Sequence, residues 1–226
     1  MKKYDVFDII GPIMIGPSSS HTAGATRIAR MARIVAEEDI KEVSFLLHGS
    51  FSKTYKGHGT DRALAAGILG MNPSDIRLRN SLDIAKEAGI KVEFIEANLG
   101  EVHPNTVKCI ITGKTGLVYS LVGSSIGGGN IQVIEINNQK VDFTGNYPTL
   151  IISHKDVPGS VSKVTALLYK ENINIAFMKV FRSEKGKDAT MLFEVDNPIP
   201  DLIMDEIKSI NDISKVIRIN PIKEGE

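Results

Sequence analysis

Thr149-Leu150-Ile151-Ile152-Ser153-His154-Lys155-Asp156-Val157-Pro158-Gly159-Ser160 is the stretch that decides the fold of the C-terminal third. Thr149 to Ser153 is apolar and β-branched and reads as a strand. Lys155-Asp156-Val157-Pro158-Gly159-Ser160 reads as a loop: Pro158 fixes φ, and Gly159 lets the backbone turn just before a helix. That helix spans Val161 to Glu171, with Val161, Val164, Leu167 and Leu168 on one stripe. Working outward toward the C-terminus, Ile173 to Arg182 and Asp188 to Val195 are strands about the turn Glu184-Lys185-Gly186-Lys187. Pro200 opens a second helix carrying Leu202, Ile203, Ile207 and Ile210, and Lys215 to Ile219 is a last strand. The order is βαββαβ, the split, ferredoxin-like arrangement.

Working outward toward the N-terminus, turn formers cluster at Gly145-Asn146-Tyr147-Pro148, which places a domain boundary there. Residues 1–146 form one expected domain and 148–226 a second. The first reads as mixed α/β, so the fold class of the whole is α/β (α+β). Its strands are Val43 to Ser50, Lys91 to Ala97, an antiparallel pair Val107 to Thr112 and Leu117 to Val122, and Ile131 to Ile136. A hairpin turn at Asn137 to Lys140 follows, leading into Val141 to Phe143. Helices are expected after residue 24, over Leu64 to Leu69, and from Leu82 to Ala88, the last ended by Gly89. The glycine-rich run Gly123 to Asn130 lies between strands and opens no helix, so it lacks phosphate-loop geometry and reads as close backbone packing beside a site.

The chain has 226 residues, enough for two domains. Lys plus Arg and Asp plus Glu number 27 each, so no net field draws it to nucleic acid or to an anionic membrane. No apolar run has the length of a membrane span, and residues 1–15 carry Asp5 and Asp8 and do not resemble a signal peptide; a cytoplasmic protein is expected. Cys109 is the single cysteine, which excludes an intramolecular disulfide and any thiolate cluster built by this chain alone. It sits in an alternating strand and reads as a small buried residue, and no metal ligands are expected from this chain.

The densest chemistry lies in Gly16-Pro17-Ser18-Ser19-Ser20-His21-Thr22-Ala23-Gly24-Ala25, immediately before an amphipathic helix bearing Ile28, Met31, Ala32, Ile34 and Val35. Ser20 or Thr22 is the expected N-cap. A plain cap needs one hydroxyl, whereas this stretch offers four and an imidazole at a helix start, where an anion is favoured. Gly57-His58-Gly59-Thr60-Asp61 places a second histidine beside a helix N-terminus, capped by Thr60 or Asp61. His48, His103 and His154 read as hydrogen-bonded structural residues.

The C-terminal unit resembles an ACT domain, a small-molecule sensing module that works in pairs, on its strand, Asp156-Val157-Pro158-Gly159 loop and helix. Ile10-Gly11-Pro12, Ile15 to Gly24 and Gly57 to Asp61 resemble the β chain of iron–sulfur-dependent L-serine dehydratase, as does the order β domain then ACT domain. The resemblance implies an enzyme subunit that converts L-serine to pyruvate and ammonia, within amino-acid catabolism and gluconeogenesis. It acts with an α chain carrying the cysteines of a four-iron four-sulfur cluster, whose open iron would polarise the departing hydroxyl. It also implies His21 as the catalytic residue and Ser18, Ser19, Ser20, Thr22, His58 and Asp61 as substrate-binding residues. The loop Asp156, Val157, Pro158, Gly159 and Ser160 would be an ACT effector site, or the unit would only join subunits.

Two other functions stand beside this one. The front domain also resembles the substrate-sensing domain of some phosphoglycerate dehydrogenases, which would make the chain a non-catalytic, amino-acid-sensing regulatory protein. A self-sufficient hydrolase using Ser20 with His21 is disfavoured because adjacent side chains at a helix start diverge.

Overall fold

The computed structural model describes residues 12–182 and 184–221. The expectations resting on residues 1–11, including Ile10-Gly11 and the reading of the N-terminal segment, lie outside the described residues. The chain separates into two compact units, dividing between Thr144 and Gly145.

In the first unit a π-helical turn, Ser19–Gly24, runs directly into α1, Ala25–Ala36. Then come β1 (Ile40–Leu47), α2 (Ser50–His58), α3 (Thr60–Ile68), a 3₁₀ turn (Ile76–Asn80) and α4 (Ser81–Glu87). The strands β2 (Lys91–Glu96), β3 (Thr106–Gly113), β4 (Val118–Gly127), β5 (Asn130–Ile136) and β6 (Gln139–Phe143) complete it. The sheet order is β2-β1-β3-β4-β5-β6. Only β1 and β2 are parallel, and three helices supply the long crossover that parallel neighbours require. Phe45, Cys109 and Leu121 stand side by side across three strands in one row of the buried face.

Small residues set how closely the helices approach. A Cβ at Gly123 would meet the side chain of Ile28, so α1 crosses β4 where β4 has no side chain. A Cβ at Gly67 would collide with the Thr26 carbonyl and the Ala29 methyl, so α3 lies almost backbone to backbone with α1. The glycine-rich run is the end of β4 and the turn into β5. A Cβ at Gly129 would press on Ala23 at 3.2 Å, and the Gly129 carbonyl accepts a hydrogen bond from Arg27. This run therefore packs against the π-helical turn.

The second unit contains β7 (Thr149–Lys155), α5 (Ser160–Lys170), β8 (Ile175–Arg182), β9 (Asp188–Val195), α6 (Asp201–Lys208) and β10 (Ile213–Ile219). Its antiparallel sheet has the order β10-β7-β9-β8, the ferredoxin-like arrangement. Leu150, Ile152, Met191, Phe193 and Val216 line one face beneath Val164, Leu168, Ile203 and Ile207 of the two helices.

Several expectations change at the element ends. Ser18, rather than Ser20 or Thr22, caps the first helical turn: its Oγ accepts from the His21 N–H at 3.3 Å. Residues 50–58 form a helix that the sequence does not announce, because Phe51 is the one residue it buries fully. His58 therefore closes α2 instead of opening α3. Gly59, at φ 68°, carries the chain into α3 and stands at its N-cap, where neither Thr60 nor Asp61 acts. In the second unit Ser160 is already helical.

Candidate functional site

The π-helical turn wraps His21 into the protein, leaving it 9% exposed. The ring meets the Phe51 ring edge-on, with centroids 5.2 Å apart. Both of its nitrogens have partners: Nδ1 lies 3.3 Å from Ser18 Oγ, and Nε2 lies 3.1 Å from Thr54 Oγ1. The Thr54 hydroxyl donates its proton to the Ser50 carbonyl at 2.8 Å, so toward His21 it acts as acceptor. Nε2 then carries the imidazole proton, and the Nδ1 lone pair receives the Ser18 hydroxyl. Burial, reinforced by the neighbouring His58, lowers the pKa of His21. The neutral ring is the form this pocket favours.

His58 lies over His21, with ring centroids 4.7 Å apart and planes tilted by 31°. Its Nδ1 is 3.4 Å from the Thr54 carbonyl, which can only accept, so Nδ1 is the donor and the lone pair sits on Nε2. Unlike His21, His58 is exposed and borders a cleft of about 700 Å³. The cleft runs between the segment Ile15–Pro17, the α2–α3 junction and residues 78–83.

The predicted residues divide according to this geometry. Thr22 and His58 line the cleft, while Ser18 and His21 stand behind it as a hydrogen-bonded pair. Ser19, Ser20 and Asp61 are half-buried outside its lining, and Asp61 Oδ1 accepts from the Arg62 N–H at 2.8 Å. A Ser20–His21 dyad does not form; the hydroxyls that reach the ring belong to Ser18 and Thr54. Thr54, Lys56, Arg62 and Arg79 are site residues that the sequence reading missed. Thr54 lies four residues before His58, but that spacing means something only once residues 50–58 are known to be helical.

The other three histidines have local partners. His48 Nδ1 accepts from the Leu99 N–H, and His103 Nδ1 from the Asn105 N–H, each at 3.1 Å. His154 Nδ1 is 2.7 Å from the Lys155 carbonyl. Cys109 is fully buried, and burial pushes its thiol pKa well up. Among the described residues no group of three His, Cys, Asp or Glu side chains converges on a point.

In the second unit the loop before α5 is tied to the β8–β9 turn. The Asp156 carboxylate accepts from the Gly186 N–H at 3.1 Å and pairs with Arg182 at 3.3 Å, which holds it below the usual carboxylate range. Val157, Pro158 and Gly159 remain exposed. Ser160 is buried, and its Oγ donates to the Val157 carbonyl at 3.1 Å.

A mixed α/β domain with a histidine pair beside its cleft, followed by a ferredoxin-like βαββαβ domain, defines a two-domain class of chain. Residues 5–93 match the serine dehydratase beta chain family, and residues 148–212 match the ACT domain. Over 219 residues the chain is 43% identical to the probable L-serine dehydratase, beta chain, of Bacillus subtilis, spanning 97% of this chain and 99% of that one. It is 40% identical over 211 residues to the L-serine dehydratase, beta chain, of Peptoniphilus asaccharolyticus, covering 93% and 95% of the two. A D-3-phosphoglycerate dehydrogenase of Bacillus subtilis is 27% identical over 195 residues, which is 85% of this chain and 36% of that enzyme. The chain belongs to the L-serine dehydratase beta chain family and carries a C-terminal ACT domain. The full-length likeness favours the dehydratase over the regulatory alternative.

Proposed function

We propose that this chain acts with a separate α chain as an L-serine dehydratase in the cytoplasm, converting L-serine to pyruvate and ammonia. The observation that carries this reading is the histidine pair, an exposed His58 whose Nε2 is turned away from its Nδ1 hydrogen bond, lying over a buried, neutral His21 at the wall of a cleft. The reaction needs a base for the weakly acidic α-proton and loss of the β-hydroxyl as water. The aminoacrylate so formed tautomerises to an imine, which water hydrolyses to pyruvate and ammonia. His58 Nε2 takes the α-proton, and the neutral ring of His21, fixed by Ser18 and Thr54, holds His58 in place without a competing charge.

A four-iron four-sulfur cluster does not fit the residues of this chain. Its one thiol is sealed inside β3 with a raised pKa, and no second cysteine exists. The cluster's ligands belong to the α chain in this reading.

The ACT unit self-associates through β8 in this reading. That strand is a sheet edge and leaves Phe177, Met178 and Val180 41%, 44% and 42% exposed. The exposed Val157-Pro158-Gly159 segment is its effector loop.

Anaerobic purification of the chain with and without its α partner, followed by assay of pyruvate from L-serine, tests the proposal. Turnover by the complex alone is expected. Turnover by the chain alone, or an inert complex with a full cluster, overturns it.

A further inference from the structure

Four of the six arginines in the first unit are committed to the fold. Arg27 donates to the Gly129 carbonyl, Arg30 to Asn72 and Arg33 to the Ile68 carbonyl, and Arg77 chelates the Asp75 carboxylate. Arg62 and Arg79 are the exceptions. Neither side chain has an acceptor or an ion-pair partner among the described residues, and both line the cleft beside His58. They come from different elements, Arg62 from the first turn of α3 and Arg79 from the 3₁₀ turn. With Lys56 they give the cleft three permanent cations against the single carboxylate of Asp83. A chain with no net charge thus concentrates positive charge at one concavity.

Two further features belong to the same wall. Gly59 at the N-cap of α3 supplies no side-chain cap, and of the free N–H groups in that first turn Asp61 takes up the one of Arg62. Thr22, 1% exposed and on the cleft wall, has an Oγ1 without a hydrogen-bond partner among the described residues. Gly16 lies directly over that oxygen, and a Cβ there would collide with it.

We infer that Arg62 and Arg79 form the seat for the substrate's α-carboxylate. The inference rests on the serine dehydratase reading for the identity of the substrate, and adds which residues hold it and by which end. Planar guanidinium groups match a carboxylate in a way that Lys56 cannot, which makes Lys56 the weaker contributor. His58 borders the same cleft.

The test is steady-state kinetics of the αβ complex carrying Arg62→Gln or Arg79→Gln, with Arg77→Gln as control. A carboxylate contact is made equally in the bound substrate and the transition state, so it acts on KM. Each cleft variant should raise KM for L-serine by about 10-fold to 100-fold, the worth of a hydrogen bond to a charged group, with a far smaller change in kcat. Arg62→Lys should recover part of the loss, and Arg77→Gln should show none. Unchanged KM in both glutamine variants overturns the inference and leaves the dehydratase reading intact.

If the wild-type complex makes no pyruvate, the dehydratase reading fails instead. The seat is then judged on the full chain alone, by NMR of the His58 ring during titration with L-serine and with L-serinamide. Shifts caused by L-serine but not by the amide, and lost in Arg62→Gln, uphold an anion seat. Equal shifts from both, or none, overturn it.

Discussion

At the scale of single residues, the two histidines differ in burial, His21 being enclosed and His58 exposed, and the proposed mechanism gives the role of base to His58. Replacing His58 by Gln keeps the volume and removes the base, so kcat of the complex should fall by about 10²–10⁴-fold, read from initial rates of pyruvate formation. His21 is predicted to show itself in pH dependence. Its folded pKa lies below the ordinary 6.5. Between that lowered value and 6.5 the unfolded chain therefore binds more protons than the folded one. Stability rises with pH across this window and declines as pH falls through it. His21→Gln should flatten the slope of unfolding free energy below pH ~6.5, measured by urea denaturation at a series of pH values. A variant with the wild-type slope would place the titration elsewhere. Cys109→Ser introduces a hydroxyl into an apolar row of the sheet and should lower Tm while sparing turnover by the complex. Abolished turnover with a normal Tm would mean that the thiol takes part in the chemistry.

At the scale of elements, the close approach of the π-helical turn to β4 fixes the position of His21. A Cβ at Gly24 would strike the Ser125 side chain. Gly24→Ala is expected to cost about 1–3 kcal/mol as an overpacked contact and, by displacing the turn, to reduce turnover as well. Thermal melts of the chain, together with kcat of the complex, would measure both. Gly159 poses a different problem, since a Cβ there would meet only the Ser162 hydroxyl, at an ordinary 3.9 Å, but its φ is 92°. Gly159→Ala should cost about 1–2 kcal/mol through backbone strain alone. A larger residue there would confuse strain with any loss of ligand, so Val157→Asp is the better probe of an effector loop. Loss of an amino-acid binding heat in that variant, at unchanged Tm, is the expected calorimetric result if the loop binds one.

At the scale of the whole molecule, the two units set separate tasks. The first builds its cleft entirely from its own elements, and no helix among the described residues is long and apolar enough to cross a membrane. The second leaves one sheet edge with three exposed apolar side chains, more than a strand facing only water would carry. Val180→Glu should shift the full chain toward the monomer in size-exclusion chromatography with light scattering. An unchanged mass would place any self-association on another surface.

The sequence by itself determined the strands and helices whose apolar period is strong, such as β9, α1 and the βαββαβ order of residues 148–226. It also singled out the run of hydroxyls and an imidazole at Ser18 to Thr22, of which the structure puts Thr22 on the cleft wall. Local pattern suffices there, since a buried stripe or a run of hydroxyls is visible without its partners. It did not show α2, whose surface position leaves it a single fully buried residue. With that helix missing, Thr54 had no link to His21, and His58 was placed at the wrong end of a helix. The tertiary structure alone decided that Ser18 rather than Ser20 meets the imidazole, and that Arg62 and Arg79 face one cleft. Those pairings join residues up to 33 positions apart for Thr54 and His21. Distance in space between such residues is set by how helices cross over glycines, which no local pattern in the chain encodes.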